Sequence, residues 1–285
     1  GGGIDSPRPA SQRAAALVLT AALLTGAAFP AFADTYYIEN GDITISAGES
    51  GNDVTQNNVT TKNDTDTIIT NQKTDTASSH TVTIEAGNDK VEVTLKDVNI
   101  DTSSRNNAAV SVTGSGNTTI KLDGDNALKS DTYRSGIAST GSLTISGGEN
   151  DSLTAQGGSG ANGISSSGSL TISGGTVTAT GGNSTGIVGY GGSGIYSSSG
   201  VAISGGAVTA NGGDSKDGYG GNGIYSSSVA ISGGTVKAAG GNGKDGYGGN
   251  GISSTSTTIS GGTVTANGGS GNSSGGNGIR SNGVT

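Results

Sequence analysis

The chain has 285 residues and a formal charge of −8, with 56 glycines and no cysteine, methionine or tryptophan. The acidic charge argues against binding to nucleic acid or to anionic membranes, and the missing cysteine excludes disulfide bonds. So little Leu, Ile, Val and Phe would favour disorder, but the regular spacing of the apolar residues favours a folded repeat protein.

The chain begins with what resembles a secretory signal peptide. Two arginines precede the apolar stretch 14–28, which is followed by the sequence FPAFA ending at Ala33. An apolar core of this length is typical of a signal peptide and is shorter than the ~18 residues of a membrane span. We therefore predict cleavage between Ala33 and Asp34 and a secreted or cell-surface protein; the alternative is a buried helix. No transmembrane segment is predicted in the mature chain.

The mature segment 34–285 is predicted to be one domain that begins near Tyr36. Its early part, to about residue 130, shows short alternating apolar runs without the glycine pairs found later, and it concentrates the charged residues. Irregular, charged terminal repeats are typical of caps on stacked repeats. The inward positions predicted there are Val91, Val93, Leu95, Val98, Ile100, Val110, Val112, Ile120, Leu122 and Leu128.

The later part is built on a strict period. The tetrapeptide ISGG begins at 145, 172, 203, 231 and 259, and a Gly-Ile step begins at 136, 163, 194, 223, 251 and 278. A unit this short cannot bury its own apolar face, so it must stack on copies of itself. The prediction is an all-β parallel β-helix with about 28 residues per coil. The next ISGG step is expected one residue beyond Thr285, which predicts a C-terminally truncated chain.

The coil that begins at Gly194 shows three short strands, over 194–197, 201–206 and 207–213. Side chains alternate between the two faces of a strand. The glycine pairs 205–206 and 212–213 are predicted to be turns with positive φ. The predicted inward residues are Ile195, Val201, Ile203 and Val208, and the predicted outward residues are Tyr196, Ala202 and Thr209.

Several segments carry a family resemblance: VEVTLKDVNID (91–101), AAVSVTG (108–114), TTIKLDGDNALKS (118–130) and GSLTISGGTVTATGG (168–182). Together they are similar to the secreted carbohydrate-binding β-helix proteins of anaerobic bacteria, which are related in fold to calcium-dependent pectate lyases. The resemblance implies a right-handed, single-stranded helix, export, and binding of a plant cell-wall polysaccharide such as cellulose or pectate. It also implies calcium in some members, but the family's calcium ligands have no residue-by-residue match here.

Tyrosines recur at equivalent positions of successive coils. Tyr190, Tyr219 and Tyr247 each lie in a Gly-Tyr-Gly-Gly sequence and are predicted to form a column, while Tyr196 and Tyr225 are predicted to form a second, shorter one. Exposed aromatic rings are suited to the apolar faces of sugars. The alternative is a stacked ladder that stabilises the coils without binding a ligand.

Acidic residues near these tyrosines are candidate ligands for a calcium ion. The sequence GGNGKDGYG (240–248) matches one calcium-roll nonapeptide, but calcium rolls need tandem copies and the next nine residues contain no Asp. Asp214, Asp217 and Asp245 remain candidate calcium ligands, with an ordinary polar loop as the alternative. No cofactor is predicted to be required.

Two further repeats are interpreted as structural. Asparagines precede the Gly-Ile step at a common position and are predicted to form a hydrogen-bonded ladder along the stack. Threonine pairs on the outward face resemble the array of ice-binding β-helices, but Ala207 and Lys237 interrupt them. The asparagines are Asn162, Asn222, Asn250 and Asn277, and the threonine pairs are 176 and 178, and 263 and 265.

No catalytic residue is predicted. His80 is the single histidine and lacks a nucleophile at a recognisable spacing. Lys96 and Asp123 each follow an inward Leu and are expected to be neighbours on adjacent coils, either as part of a lyase site or as an ion pair. The leading functional hypothesis is noncovalent polysaccharide binding. The alternatives are an adhesin or passive stalk that spaces other surface modules, and a calcium-dependent polysaccharide lyase.

Overall fold

The computed structural model describes residues 33–186 and 189–285, so the predicted signal peptide before Ala33 lies outside the described residues. The described chain is all-β and forms a parallel β-helix with three strands per coil, as predicted. Equivalent residues on successive coils are paired in register, most often at intervals of 27 or 28 residues, for example Val201 with Val229. Its strands build three columns that run along the stack.

The first column contains the strands that follow the Gly-Ile steps and their counterparts in the early coils. It comprises Ile43–Ala47, Val82–Gly87, Val110–Gly114, Ile137–Ser139, Ile164–Ser166, Ile195–Ser197, the first halves of Ile224–Ile231 and Ile252–Ile259, and Ile279–Arg280.

The second column contains the ISGG strands and their counterparts. It comprises Ala33–Tyr37, Asp66–Thr70, Lys90–Lys96, Asn117–Asp123, Ser142–Ser146, Leu170–Ile172, Val201–Ile203, the second halves of Ile224–Ile231 and Ile252–Ile259, and Gly283–Val284.

The third column forms a separate sheet. It comprises Asn99–Asp101, Asp125–Lys129, Ser152–Gln156, Thr176–Thr180, Ala207–Asn211, Thr235–Ala239 and Thr263–Asn267.

The length of the connection between the first two columns determines whether they are joined within a coil. The segment 195–203 has Gly200 at a φ of +143°, and its two strands are separate. The equivalent segment Ile224–Ile231 lacks this glycine and runs as a single strand through both columns. The strands are also separate at 164–172, where the chain has the same additional residue but Gly168 does not have positive φ, so the additional residue itself breaks the strand.

The core is a stack of the inward residues that the alternation predicts. Ile195, Val201, Ile203 and Val208 are each at most 2% exposed, and the inward positions predicted in the early coils are buried as well. Each of these side chains lies against its equivalent on the next coil, so the aliphatic rows are continuous. Stacking therefore buries the apolar face that one coil alone would leave exposed.

The glycine pairs have two different roles, and one of our predictions about them is wrong. Gly206 has a φ of +83° and turns the chain, as expected, whereas its partner Gly205 does not have positive φ. Gly212 and Gly213 do not have positive φ. They are glycine because a Cβ on either would collide with the carbonyl oxygen of a neighbouring segment, that of Gly221 or Gly182 respectively. The second pair therefore provides close backbone packing rather than a turn.

The N-terminal end differs from the predicted degraded coil. The stack begins with Ala33–Tyr37, a few residues before the expected start, and a three-residue 3₁₀ turn follows at Ile38–Asn40. An antiparallel hairpin, Asn52–Gln56 with Val59–Asp64, then pairs with the first column. Asn57 and Asn58 form its turn with φ values of 52° and 62°, which is the backbone of a two-residue hairpin. None of the described residues belongs to a helix long and apolar enough to cross a membrane.

Candidate functional site

Four glycine-rich loops project from the regular coils between the third and first columns. We call these the glycine loops; they cover residues 181–194, 212–223, 240–251 and 268–278. Their backbones form a continuous hydrogen-bonded zigzag along the stack. Gly213 N–H donates to Gly192 O, Gly221 to Gly213, Gly241 to Gly221, Gly249 to Gly241 and Gly269 to Gly249, at 2.7 to 2.8 Å. This packing connects each glycine loop to the loops on the neighbouring coils.

The predicted tyrosine column lies on these loops. Tyr190, Tyr219 and Tyr247 are 62%, 42% and 46% exposed, and the ring centroids are 5.0 Å apart between the first two and 4.8 Å apart between the last two. The column predicted from the sequence is confirmed as a geometric feature. Its spacing equals the ordinary distance between stacked strands, ~4.8 Å.

Ring orientation determines which part of each tyrosine faces solvent. Tyr190 and Tyr219 are inclined by only 22°, so their facing sides cover one another, whereas Tyr247 is tilted by 47° from Tyr219. Close parallel stacking leaves ring edges, rather than both ring faces, as the accessible surface within the row. The outer face of Tyr190, the most exposed of the three, is the flat surface available at one end.

The second tyrosine column is also present. Tyr196 and Tyr225 are direct neighbours in the first column of strands, with ring centroids 5.4 Å apart and planes inclined by 56°. Tyr225 is 47% exposed, as expected for an outward position. The next coil has Ser253 at the equivalent position, so this column contains two rings.

A groove of about 620 Å³ follows the same loops. Its polar residues recur at equivalent places: Asn183, Asp214, Asn242 and Ser270 form one row, and the exposed Lys216 and Lys244 form another. The Oγ of Ser215 accepts a hydrogen bond from Gly218 N–H and donates to Gly189 O, so the groove is tied to the residues just before Tyr219 and Tyr190. The groove and the tyrosine row therefore belong to one surface.

Asn and Asp side chains form two hydrogen-bonded ladders along the stack. The first is the one predicted: Asn162, Asn222 and Asn250 each accept a hydrogen bond from the backbone N–H of the next coil at 2.8 to 2.9 Å. The second ladder was not predicted. Asn183 accepts from the N–H of Asp214, Asp214 from that of Asn242, and Asn242 from that of Ser270, at 2.8 to 2.9 Å. The 28-residue recurrence of KDGYG (216–220 and 244–248) could have indicated this groove and its lysines.

The candidate calcium ligands are exposed, but the structure does not bring them together as a ligand set. Within the described ranges, no group of three or more His, Cys, Asp or Glu residues is placed to hold a metal ion. Asp214 uses Oδ1 in the second ladder, and Asp217 and Asp245 lie on successive loops. A calcium ion at this surface would need backbone carbonyls as most of its ligands.

The residues considered for catalysis, His80, Lys96 and Asp123, each lie beside other residues of the β-helix. His80 Nδ1 lies 2.8 Å from the carbonyl oxygen of Ile38, beside the ion pair of Arg105 with Asp42 at 2.7 Å. Lys96 and Asp123 are direct neighbours on adjacent coils, as predicted. On the third column, Thr178, Thr209, Lys237 and Thr265 occupy one outward row, so the lysine interrupts the threonine array.

The comparisons with known proteins give no relative on which a function could be based. No family model matches the chain, and neither a curated protein nor a solved structure matches it. The site must be interpreted from its own geometry.

Proposed function

We propose that this chain is an exported protein that binds an extracellular polysaccharide noncovalently through the glycine loops. The observation that carries the proposal is the aligned, exposed row of Tyr190, Tyr219 and Tyr247 beside a polar groove on the same loops. Carbohydrate sites combine aromatic surfaces with a few convergent polar groups, and this surface offers both. Plant cell-wall glycans such as cellulose or pectate are the ligands to test first.

The repeat geometry favours a long polymer over a free sugar. Tyrosines recur on three successive glycine loops and lysines on two of them, so the loops 212–223 and 240–251 present nearly the same set of groups to a chain lying along the stack. Weak contacts that repeat along one polymer add up through their effective concentration. We therefore expect retention to depend on polymer length and to be weak for monosaccharides.

Replacing the three loop tyrosines with alanine tests this proposal. We expect the triple variant Tyr190→Ala, Tyr219→Ala, Tyr247→Ala to lose at least roughly tenfold in retention on the insoluble glycan, since each lost aromatic contact contributes on the order of 1 kcal/mol. Retention is measured by depletion from solution over a range of glycan concentrations, with and without a calcium chelator. The far-UV circular dichroism should not change, because all three rings lie outside the core.

The matched control is Tyr133→Ala, which removes a 79% exposed tyrosine whose ring stacks with neither row. Its retention should equal that of the parent chain. If the triple variant is retained as well as the control on every glycan tried, the tyrosine row does not bind the polymer.

A passive surface stalk is the second candidate, and a specific observation favours it. The tyrosine rings cover one another and the amide ladders run through the same loops, as expected for side chains that stabilise a rigid spacer. In that case the triple tyrosine variant would lose thermal stability and no glycan would retain the parent chain. The two measurements together therefore separate the candidates.

A further inference from the structure

A group of polar side chains is buried at the N-terminal end of the stack. Asp64 is 1% exposed, Tyr36 is 7% exposed and Asp34 is 8% exposed. Oδ2 of Asp64 and the hydroxyl of Tyr36 make no hydrogen bond of good geometry, although the two side chains are close enough for each to affect the pKa of the other. Oδ1 of Asp64 accepts the backbone N–H of Asp66 at 3.1 Å. A buried carboxylate is costly unless a proton or a cation neutralises it.

The surroundings of Asp64 provide no paired cation in the part of the chain that the structure describes. Burial raises the pKa of Asp64 to about 6, and burial also raises the pKa of Tyr36. Lys62, on the hairpin, lies 3.9 Å from Asp53 instead. The titratable side chains on the neighbouring elements are Asp34, Tyr36 and Tyr37 on the first strand, Asp53 and Lys62 on the hairpin, Asp66 on the strand Asp66–Thr70, and Asp89, Lys90 and Glu92 at the start of the strand Lys90–Lys96.

One backbone atom is placed to neutralise this carboxylate. The nitrogen of Asp34 lies 3.2 Å from Oδ1 of Asp64 and donates a hydrogen bond to it. The sequence predicts cleavage of the bond between Ala33 and Asp34, and cleavage turns this amide nitrogen into an α-ammonium group. We propose that processing at Ala33 creates a buried ion pair between the α-ammonium of Asp34 and the Asp64 carboxylate, which stabilises the N-terminal end of the β-helix.

The chemistry of the proposed step is a peptide-bond hydrolysis. Water adds its oxygen to the carbonyl carbon of Ala33, the bond to the nitrogen of Asp34 breaks, and that nitrogen takes up protons to become the ammonium. A charged donor makes a stronger hydrogen bond to a carboxylate than an amide does. The unprocessed chain has only the neutral amide at this position. When its first strand pairs with Asp66–Thr70, the Asp64 carboxyl group is therefore either protonated or buried as a charge that no cation neutralises.

The dependence on pH follows from the pKa of Asp64. In the uncleaved chain the folded pKa, about 6, lies above the ordinary value, so the stability associated with the protonated form is present at low pH and is lost as the pH rises through about 6. In the cleaved chain the ammonium favours the ionised carboxylate. The gain from cleavage should therefore grow as the pH rises from about 4, the ordinary carboxyl pKa, to about 6, and should begin to fall above roughly pH 8, the ordinary pKa of an α-amino group.

The test uses the full chain with residues 29–33 replaced by a protease recognition sequence that is cut directly before Asp34. We expect cleavage to raise Tm by about 5 °C at pH 7.5 and by less than half of that at about pH 4. A matched chain, cut one residue earlier so that Ala33 is the first residue, should show no such rise. Equal gains in the two chains, or no gain in either, would overturn the proposal.

A second variant tests whether the charge of Asp64 is what the ammonium neutralises. Asp64→Asn should make the uncleaved chain more stable at pH 7.5 and should abolish the gain from cleavage, because no buried charge remains to be neutralised. If calcium chloride raises the Tm of the uncleaved parent as much as cleavage does, a metal ion rather than the ammonium neutralises Asp64, and the proposal is wrong.

The inference rests on the export part of the proposed function, not on glycan binding. The N-terminus of the exported protein, determined by mass spectrometry, tests that part separately.

Discussion

At the scale of single residues, the glycine loops depend on the absence of side chains. Gly221 lies where a Cβ would collide with the carbonyl oxygen of Gly192 on the preceding coil. Gly186 lies at the tip of a loop, and a Cβ there would meet no atom within 4 Å. Neither glycine has positive φ, so the two positions differ in the room available for a side chain and not in their need for a left-handed backbone.

We therefore expect Gly221→Ala to destabilise the chain by about 1–3 kcal/mol, the usual cost of overpacking, while Gly186→Ala changes the free energy of unfolding little. Urea denaturation of both variants measures the difference. Equal midpoints for the two variants would show that the glycine zigzag is not tightly packed.

The same residues show what the sequence could and could not predict. The inward positions were predictable because alternation along a strand and the 28-residue recurrence agree, as at Ile203 and Ile231. The role of Gly213 was not predictable, because a turn and a close backbone approach both require glycine and so look identical in the sequence. Asp64 was not predictable either, since its burial depends on a hairpin that interrupts the repeat.

At the scale of elements, the amide ladders connect one coil to the next outside the strands. Asn222 accepts the N–H of Asn250 at 2.9 Å, and Asn250 accepts that of Asn277 at 2.8 Å. The recurrence of Asn before each Gly-Ile step made this ladder predictable. The ladder of Asn183, Asp214 and Asn242 was harder to predict, because different side chains fill the same position and the loop lengths differ.

Asn222→Ala should therefore reduce the free energy of unfolding by about 1 kcal/mol, since the backbone N–H of Asn250 loses its acceptor. The control is Asn272→Ala, because Asn272 is an exposed residue at the tip of the last loop. Thermal unfolding of both variants gives the comparison, and hydrogen exchange at Asn250 should be faster in the first alone. A ladder that contributes nothing would leave the two melting temperatures equal.

At the scale of the whole molecule, the stack tolerates changes in coil length only where they avoid the strands. The ISGG steps are 27, 31, 28 and 28 residues apart, yet the strands of the three columns keep their register. The 31-residue coil carries its additional residues mostly in the glycine loop 181–194. The period could therefore predict the columns, whereas the shape of each loop depends on contacts with loops above and below it.

Removing one complete coil tests this modular construction. Deletion of residues 209–236 takes out 28 residues and brings Lys237 into the outward place of Thr209, to which it is already equivalent. Deletion of 209–235 takes out one residue fewer and moves Lys237 to the inward place of Ala210, which is fully buried. A one-residue slip exchanges the two faces of a strand, and an unpaired charge in the core is strongly unfavourable.

We expect the 28-residue deletion to fold into a shorter β-helix with unchanged strand content per residue, and to lose roughly 20 kcal/mol of calorimetric unfolding enthalpy, one coil's share. The 27-residue deletion should melt at a much lower temperature or fail to show a cooperative transition, because its third-column strand must either bulge or bury the lysine. Differential scanning calorimetry compares the melting temperature and the unfolding enthalpy of the two chains. If they unfold alike, register in the third column does not determine stability. Since stacking contacts are made between nearest neighbours, the shorter helix should also place Tyr247 directly against Tyr190 and keep a two-ring row.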